Sequence, residues 1–194
     1  MPQNEYQVTM VFRLSLKLAK KIGVAPTSVV PLDSNPLADW SGHLFSADRT
    51  QYVILTNTAS LYSAVWYGRG VTDAAQFIER GLGAIREVMD GDGLEIIHRR
   101  MVAPSTGTIA FTKALNRSVT GSMNDLINCA KVWLIEEELS PHDVSVKLNE
   151  MPMSAIGYTD PRRSLKSLLS DQEVTDDSVL SWPFAPFRRH SMTL

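Results

Sequence analysis

The residues best equipped for chemistry lie in one stretch, Asn116-Arg117-Ser118-Val119-Thr120-Gly121-Ser122-Met123-Asn124-Asp125-Leu126. Hydroxyls, amides and one guanidinium surround a glycine, directly ahead of an apolar-periodic segment. Arg117 offers a planar fork that matches phosphate or carboxylate. Gly121 has no Cβ to keep a ligand from the backbone, and free N–H groups at a helix start attract anions. The spacing predicts a loop running into Ser122 as the capping hydroxyl, with Asp125 near the positive end of the helix that follows. On this reading Asn116, Arg117, Ser118, Thr120, Gly121, Ser122 and Asn124 form an anion or ligand site. The same side chains can instead tie the loop to itself, because an Asn- and Ser-rich connection must satisfy its own backbone.

Other chemistry is sparse. There is no Gly-Lys-Ser/Thr phosphate loop, no His-Glu-x-x-His, no Gly-x-Ser-x-Gly and no pair of cysteine ligands. His43, His98, His142 and His190 are scattered without ligand spacing, so the expectation is no metal and no cofactor. Cys129 sits beside an apolar helix stripe and reads as a buried, inert thiol. Asp90-Gly91-Asp92-Gly93 lacks the ligand order of a calcium loop and reads as a turn. Asp48 and Arg49 stand at a hairpin tip, where they are candidates for contacting a partner, although turn chemistry alone explains the aspartate. No acid–base pair is visible, so no catalytic residue is assigned.

The chain that must position these groups has 194 residues, 44% hydrophobic and 21% charged, which suits one domain with a real core and a tail. A formal net charge of -2 gives no basic excess for wrapping nucleic acid, so a nucleic acid or nucleotide partner is open but unsupported by charge. The single cysteine rules out an intramolecular disulfide and suits a reducing cytosol. Apolar runs such as Tyr52 to Leu55 are too short to cross a bilayer, and the polar start lacks the order of a signal peptide. The expectation is a cytoplasmic protein with no membrane partner.

Along the chain, residues 1–9 read as an N-terminal extension, and Met10 to Ser15 as a short strand. Leu16 to Ile22 reads as a helix with Lys17, Lys20 and Lys21 outward, closed by Gly23. Pro26, Pro31 and Pro36 make Val24 to Asp39 an ordered loop. His43–Ser46 and Tyr52–Asn57 flank a five-residue hairpin connection, Ala47 to Gln51, and Leu61 to Tyr67 adds a third strand of an antiparallel meander. Thr72 caps a helix from Asp73 to about Met89, in which Gly81 and Gly83 call for close packing. Leu94 to Arg100 leans helical, and Thr108 to Lys113 reads as another strand. The central helix runs from Met123 to about Glu138, and its stripe predicts that Trp133 is largely buried. Ser140-Pro141-His142-Asp143 starts a further helix, with His142 at the surface, and Asp160-Pro161 begins another.

The fold expected is therefore α+β: an antiparallel sheet of about four or five strands covered by helices near 73–89 and 123–138, in one domain over residues 10–170. Residues 171–194 form an acidic linker and an aromatic, Pro-rich tail, in which Trp182, Phe184 and Phe187 are candidates for docking on this domain, a second copy or a partner.

Trp40 with Leu44-Phe45, the Tyr52-Val53-Ile54-Leu55-Thr56-Asn57 strand, Phe111-Thr112-Lys113 and above all the Asn116–Leu126 block resemble an uncharacterised bacterial family. It is catalogued as a domain of unknown function, number six-nine-three-three. The resemblance covers about residues 10–154. It implies a bacterial cytosolic protein and carries no activity with it. The residues favour a non-catalytic binding or regulatory module with an anion-binding loop before the central helix, open to a protein partner or self-association. Two alternatives stand beside it. One is a small enzyme acting on a phosphorylated or nucleotide substrate, with Arg117 supplying charge and Asp48 or Asp125 acting as base. The other is a subunit of an antitoxin-like or defence system.

Overall fold

A computed structural model describes residues 9–32 and 34–168. The tail residues Trp182, Phe184 and Phe187 lie outside the described residues. The chain is α+β around a five-stranded mixed sheet, in the order β4-β3-β2-β1-β5. Its strands are β1 (Met10–Leu14), β2 (Asp39–Ala47), β3 (Thr50–Asn57), β4 (Ser63–Tyr67) and β5 (Ile109–Lys113).

The antiparallel meander expected from the sequence is β2-β3-β4, with His43 opposite Ile54 and Phe45 opposite Tyr52. The sheet as a whole is not antiparallel, because β1 pairs in parallel with both β2 and β5. Parallel neighbours need a long crossover. The chain supplies two: α1 (Leu16–Lys21) with the following loop, and the helices between β4 and β5. Alternating hydrophobicity fixes a strand's faces but says nothing of the direction of its neighbour.

Successive strand residues enter two cores. Phe12, Trp40, Val53, Leu55, Ala64 and Trp66 meet Leu18 of α1 and Phe77, Ile85 and Met89 of α2 (Ala74–Gly91). Phe45, Tyr52, Ile54 and Val65 meet Met123, Leu126, Ile127 and Ala130 of α4 (Arg117–Ile135) and Val144 and Leu148 of α5 (Pro141–Glu150). The two covering helices therefore lie on opposite faces, giving three layers. Between α2 and β5 the chain forms the short α3 (Glu95–Ile97), a π-helical turn His98–Val102 and a 3₁₀ turn Ala103–Gly107. A last helix, α6, covers residues 161–168 and buries Leu165.

Local chemistry explains the element ends. Ser15 caps α1, and Gly23 (φ 70°) closes it by letting Val24 N–H reach Ala19 O and Gly23 N–H reach Lys20 O. The Asp90–Gly93 turn repeats the device: Gly93 (φ 70°) directs Leu94 N–H to Met89 O. Asp73 rather than Thr72 caps α2, accepting from Gln76 N–H at 2.9 Å. A Cβ at Gly81 would lie 3.0 Å from Leu55 Cδ1, so this glycine is a close-packing residue, whereas Gly83 has open space around its Cβ position. Ser140 caps α5 with Pro141 in its first turn.

The loop between α1 and β2 is held by a buried charge pair. Arg13 and Asp39 are both fully buried, with Nε to Oδ1 at 2.7 Å and Nη2 to Oδ2 at 2.6 Å. The remaining guanidinium donors reach Val30 O and Pro31 O, each at 2.8 Å. The outer edge of β4 is covered by side chains of α5 rather than by another strand. Asn149 accepts from Ser63 N–H at 2.7 Å and donates to Ser63 O at 2.9 Å, and Ser145 Oγ accepts from Val65 N–H at 2.8 Å.

Two further expectations are corrected. The hairpin connection is not five residues: β2 and β3 pair as far as Ala47 opposite Thr50, leaving Asp48 and Arg49 as the turn. Backbone pairing continues through polar Ser46, Thr50 and Gln51 because the ladder needs no apolar side chains. Trp133, largely buried as its place on the helix stripe predicts, packs at the edge of the α4–α5 core with Lys147 Nζ 5.2 Å from its ring centre. The helix stops at Ile135, short of Glu138, where Glu136 N–H closes it on Val132 O.

Candidate functional site

The Asn116 block is not a loop. Asn116, extended at φ -163°, is the N-cap, and α4 begins at Arg117. Ser122 lies in the helix interior, and its hydroxyl donates to Ser118 O at 3.3 Å. Asn116 Oδ1 accepts from Val119 N–H at 3.0 Å, and Thr120 Oγ donates to Asn116 O at 3.0 Å. The extra turns form because Val119 and Met123 pack into the core, which outweighs the poor helix propensity of Gly121. The Asn116 amide oxygen and the Thr120 and Ser122 hydroxyls therefore bond within the block. Gly121 and Asn124 are exposed on the helix, and Arg117 is an exposed cation with no ion pair among the described residues. A cation at a helix start is slightly unfavourable, so Arg117 gains nothing from the helix dipole.

The other half of the sequence reading converges elsewhere. Arg49, at the β2–β3 turn, faces an open cleft of about 860 Å³ lined by Lys21, Arg49, Thr50, Gln51, Tyr67, Arg69 and Gly70. Three separate elements deliver these groups. Lys21 is the last residue of α1, where a cation suits the negative end of the helix. Asp48 adopts φ 49° to turn the hairpin and so aims Arg49. Arg69 follows β4 in a segment pinned by Gly68 N–H to Gln51 O at 2.7 Å and by Arg80 Nη1 to Arg69 O at 2.8 Å. Gly70 takes φ 77°, a turn conformation that carries the chain past the Arg80 guanidinium.

The electrostatics of the cleft are one-sided. Its lining holds three cations and no carboxylate. Lys21 donates to Gln51 Oε1 at 3.0 Å, and neither Arg49 nor Arg69 makes an ion pair among the described residues. Asp48 lies outside the lining. On the α4–α5 face of the sheet an aromatic ladder runs out to the β4 edge: Phe45 stacks on Tyr52 with centroids 5.6 Å apart, Tyr52 meets Tyr67 at 5.3 Å, and Tyr67 is 52% exposed. Burial raises the Tyr52 phenol above its ordinary range, with neighbouring Tyr67 adding to the shift.

The remaining titratable groups belong to the scaffold. Tyr62 donates to Asp92 Oδ2 at 2.6 Å, and Arg162 reaches Asp92 Oδ1 at 2.8 Å and Glu150 Oε1 at 2.9 Å, tying α6 to the end of α2. Burial and the Asp92 bond push the Tyr62 phenol up, so it stays protonated. Cys129 is half-buried rather than fully buried, and burial still raises its thiol, which disfavours the reactive thiolate. His142 is partly exposed, with Nδ1 3.6 Å from Glu87 Oε1. The His43 side chain is half-buried and makes no hydrogen bond among the described residues, and burial pulls its imidazole below the ordinary value.

Lys21, Gln51, Tyr67 and Arg69 were not singled out as a group in the sequence. Each lies in a different element, so no linear motif joins them, and only the exposed Tyr67 at the end of an alternating strand gave a signal. Among the described residues no group of His, Cys, Asp or Glu is placed to hold a metal ion, and no helix is long and apolar enough to cross a membrane. The family profile described as "Domain of unknown function (DUF6933)" matches residues 11–164. No curated protein matches the chain.

Proposed function

We propose, for a chain that belongs to the DUF6933 family, a non-catalytic binding module that holds an anionic ligand in the cleft between the end of α1, the β2–β3 turn and the end of β4. The observation that carries this reading is the convergence of Lys21, Arg49 and Arg69 on one concave surface with no carboxylate in its lining. Like charges brought together repel one another, and a bound anion relieves that repulsion. Binding is favoured over catalysis because no carboxylate, imidazole or thiol lines the cleft to move a proton. The start of α4 is the weaker anion site, since the Asn116 cap and the Thr120 and Ser122 hydroxyls already bond within the helix.

The test is thermal denaturation in pyrophosphate and tripolyphosphate against chloride of equal ionic strength. A ligand at a hundred times its Kd stabilises by about 2.7 kcal/mol. A charge-assisted arginine contact contributes about 1.5–3 kcal/mol, so Arg49→Ala and Arg69→Ala each weaken binding roughly 10- to 100-fold. Both side chains are exposed and leave the core untouched. No melting shift with either anion, or equal shifts in wild type and the double variant, overturns the proposal.

A further inference from the structure

We infer that in the free protein the cleft is occupied by the chain's own acidic segment, Asp171 to Asp177, which an anionic ligand must displace; this rests on the anion-binding reading of the cleft. Charge complementarity points to this occupant. The lining gathers Lys21, Arg49 and Arg69 without a carboxylate, and neither arginine makes an ion pair among the described residues. Asp171, Glu173, Asp176 and Asp177 crowd one short stretch, and no Lys, Arg or His stands between Lys166 and Arg188 to offset them. Three cations that repel one another and four carboxylates that repel one another are both relieved by meeting. Elsewhere, Arg86, Lys147, Arg162 and Arg163 already hold carboxylates.

The segment leaves the domain on the face that carries the cleft. α6 buries Leu165 and packs Leu168 in the same core as Leu18 of α1, and α1 ends at the cleft with Lys21. Arg162, at the start of α6, is tied to Asp92 at the end of α2, whereas Arg80, near the start of α2, donates to Arg69 O beside the cleft. The span to be covered is therefore one length of α2, whose 18 residues make about 27 Å. Residues 169–177, when extended, reach about 30 Å. Docking in cis is thus within reach, at the roughly millimolar effective concentration that a short linker supplies. Exposed ion pairs are individually weak and screened by salt, so the segment competes with a ligand without shutting it out.

Isothermal titration of the full chain with tripolyphosphate tests the inference. Asp171→Asn/Glu173→Gln/Asp176→Asn/Asp177→Asn is expected to bind tripolyphosphate roughly 3- to 30-fold more tightly than wild type, with the gap narrowing as salt is raised. The equal-charge control Glu95→Gln/Asp125→Asn/Glu136→Gln/Glu138→Gln neutralises exposed carboxylates on other elements and is expected to bind as wild type does. If all three proteins bind equally, or both variants gain alike, the inference is overturned and the anion site stands. If tripolyphosphate binds none of them, both readings fall. A gap between wild type and the tail variant that widens with protein concentration puts the segment on a second copy and also overturns the inference.

Discussion

Replacing Asn149 with alanine tests how the sheet is finished at its β4 edge. The side chain of this α5 residue is fully buried and serves both backbone groups of Ser63, itself fully buried. Removing it strands one N–H and one C=O where no water reaches. An unsatisfied buried polar group costs about 1–3 kcal/mol, so the pair costs about 2–5 kcal/mol. Domains are commonly stable by about 5–15 kcal/mol, so this single change removes a large share of the total. Ser145→Ala strands only the Val65 N–H and costs about 1–3 kcal/mol. The double variant loses less than the sum, because once α5 loosens, water reaches both sites. Asn149→Asp does not rescue, since its second oxygen would face the Ser63 carbonyl. The assay is urea unfolding followed by tryptophan fluorescence, with the slope checked for constancy. A loss below about 0.5 kcal/mol for Asn149→Ala would refute the view that α5 stands in for a missing strand.

Arg13→Ala leaves the Asp39 carboxylate buried without its partner and costs about 3–5 kcal/mol, read by denaturant melting; joint replacement by Met and Leu costs less than either single change, and the opposite order contradicts the reading. Burial holds His43 below its ordinary value of 6.5, and His98 shifts the same way, so the unfolded chain takes up protons that the folded chain refuses. Stability is therefore full above the unfolded value and falls as pH drops below about 6.5, more for His43 than for the more exposed His98, until the folded values are reached. His43→Gln reduces that slope between pH 6.5 and 5, and an unchanged slope would count against it. Trp133→Ala costs about 2–4 kcal/mol, somewhat below the loss for a fully buried tryptophan, because a minority of its surface stays in water; near-wild-type melting would mean that the ring adds nothing to the α4–α5 core.

Elements with strong local signals were legible in the sequence. Ser140-Pro141, Gly23 and the Asp90–Gly93 turn each act through their own backbone, so their chemistry is complete within a few residues. The β2-β3-β4 meander was legible because short connections force antiparallel neighbours. The parallel seating of β1 was not, since its direction is set by crossovers that carry no pairing signal. The start of α4 was misplaced because Ser122 and Asp125 imitate a cap, whereas the true boundary follows from burial of Val119, a tertiary event. Of the cleft, the sequence marks Arg49 as a contact candidate and Lys21 as an outward-facing helix residue. Nothing local marks Lys21 as the neighbour of Gln51, thirty residues further on.

Amide chemical-shift mapping with tripolyphosphate distinguishes the proposed anion site in the cleft from one at the start of α4. Binding in the cleft puts the largest shifts on Lys21, Arg49 to Gln51 and Tyr67 to Gly70, saturating together and disappearing in the Arg49→Ala/Arg69→Ala variant. Shifts gathered on Asn116 to Gly121 instead, or no saturable shift anywhere, would contradict it.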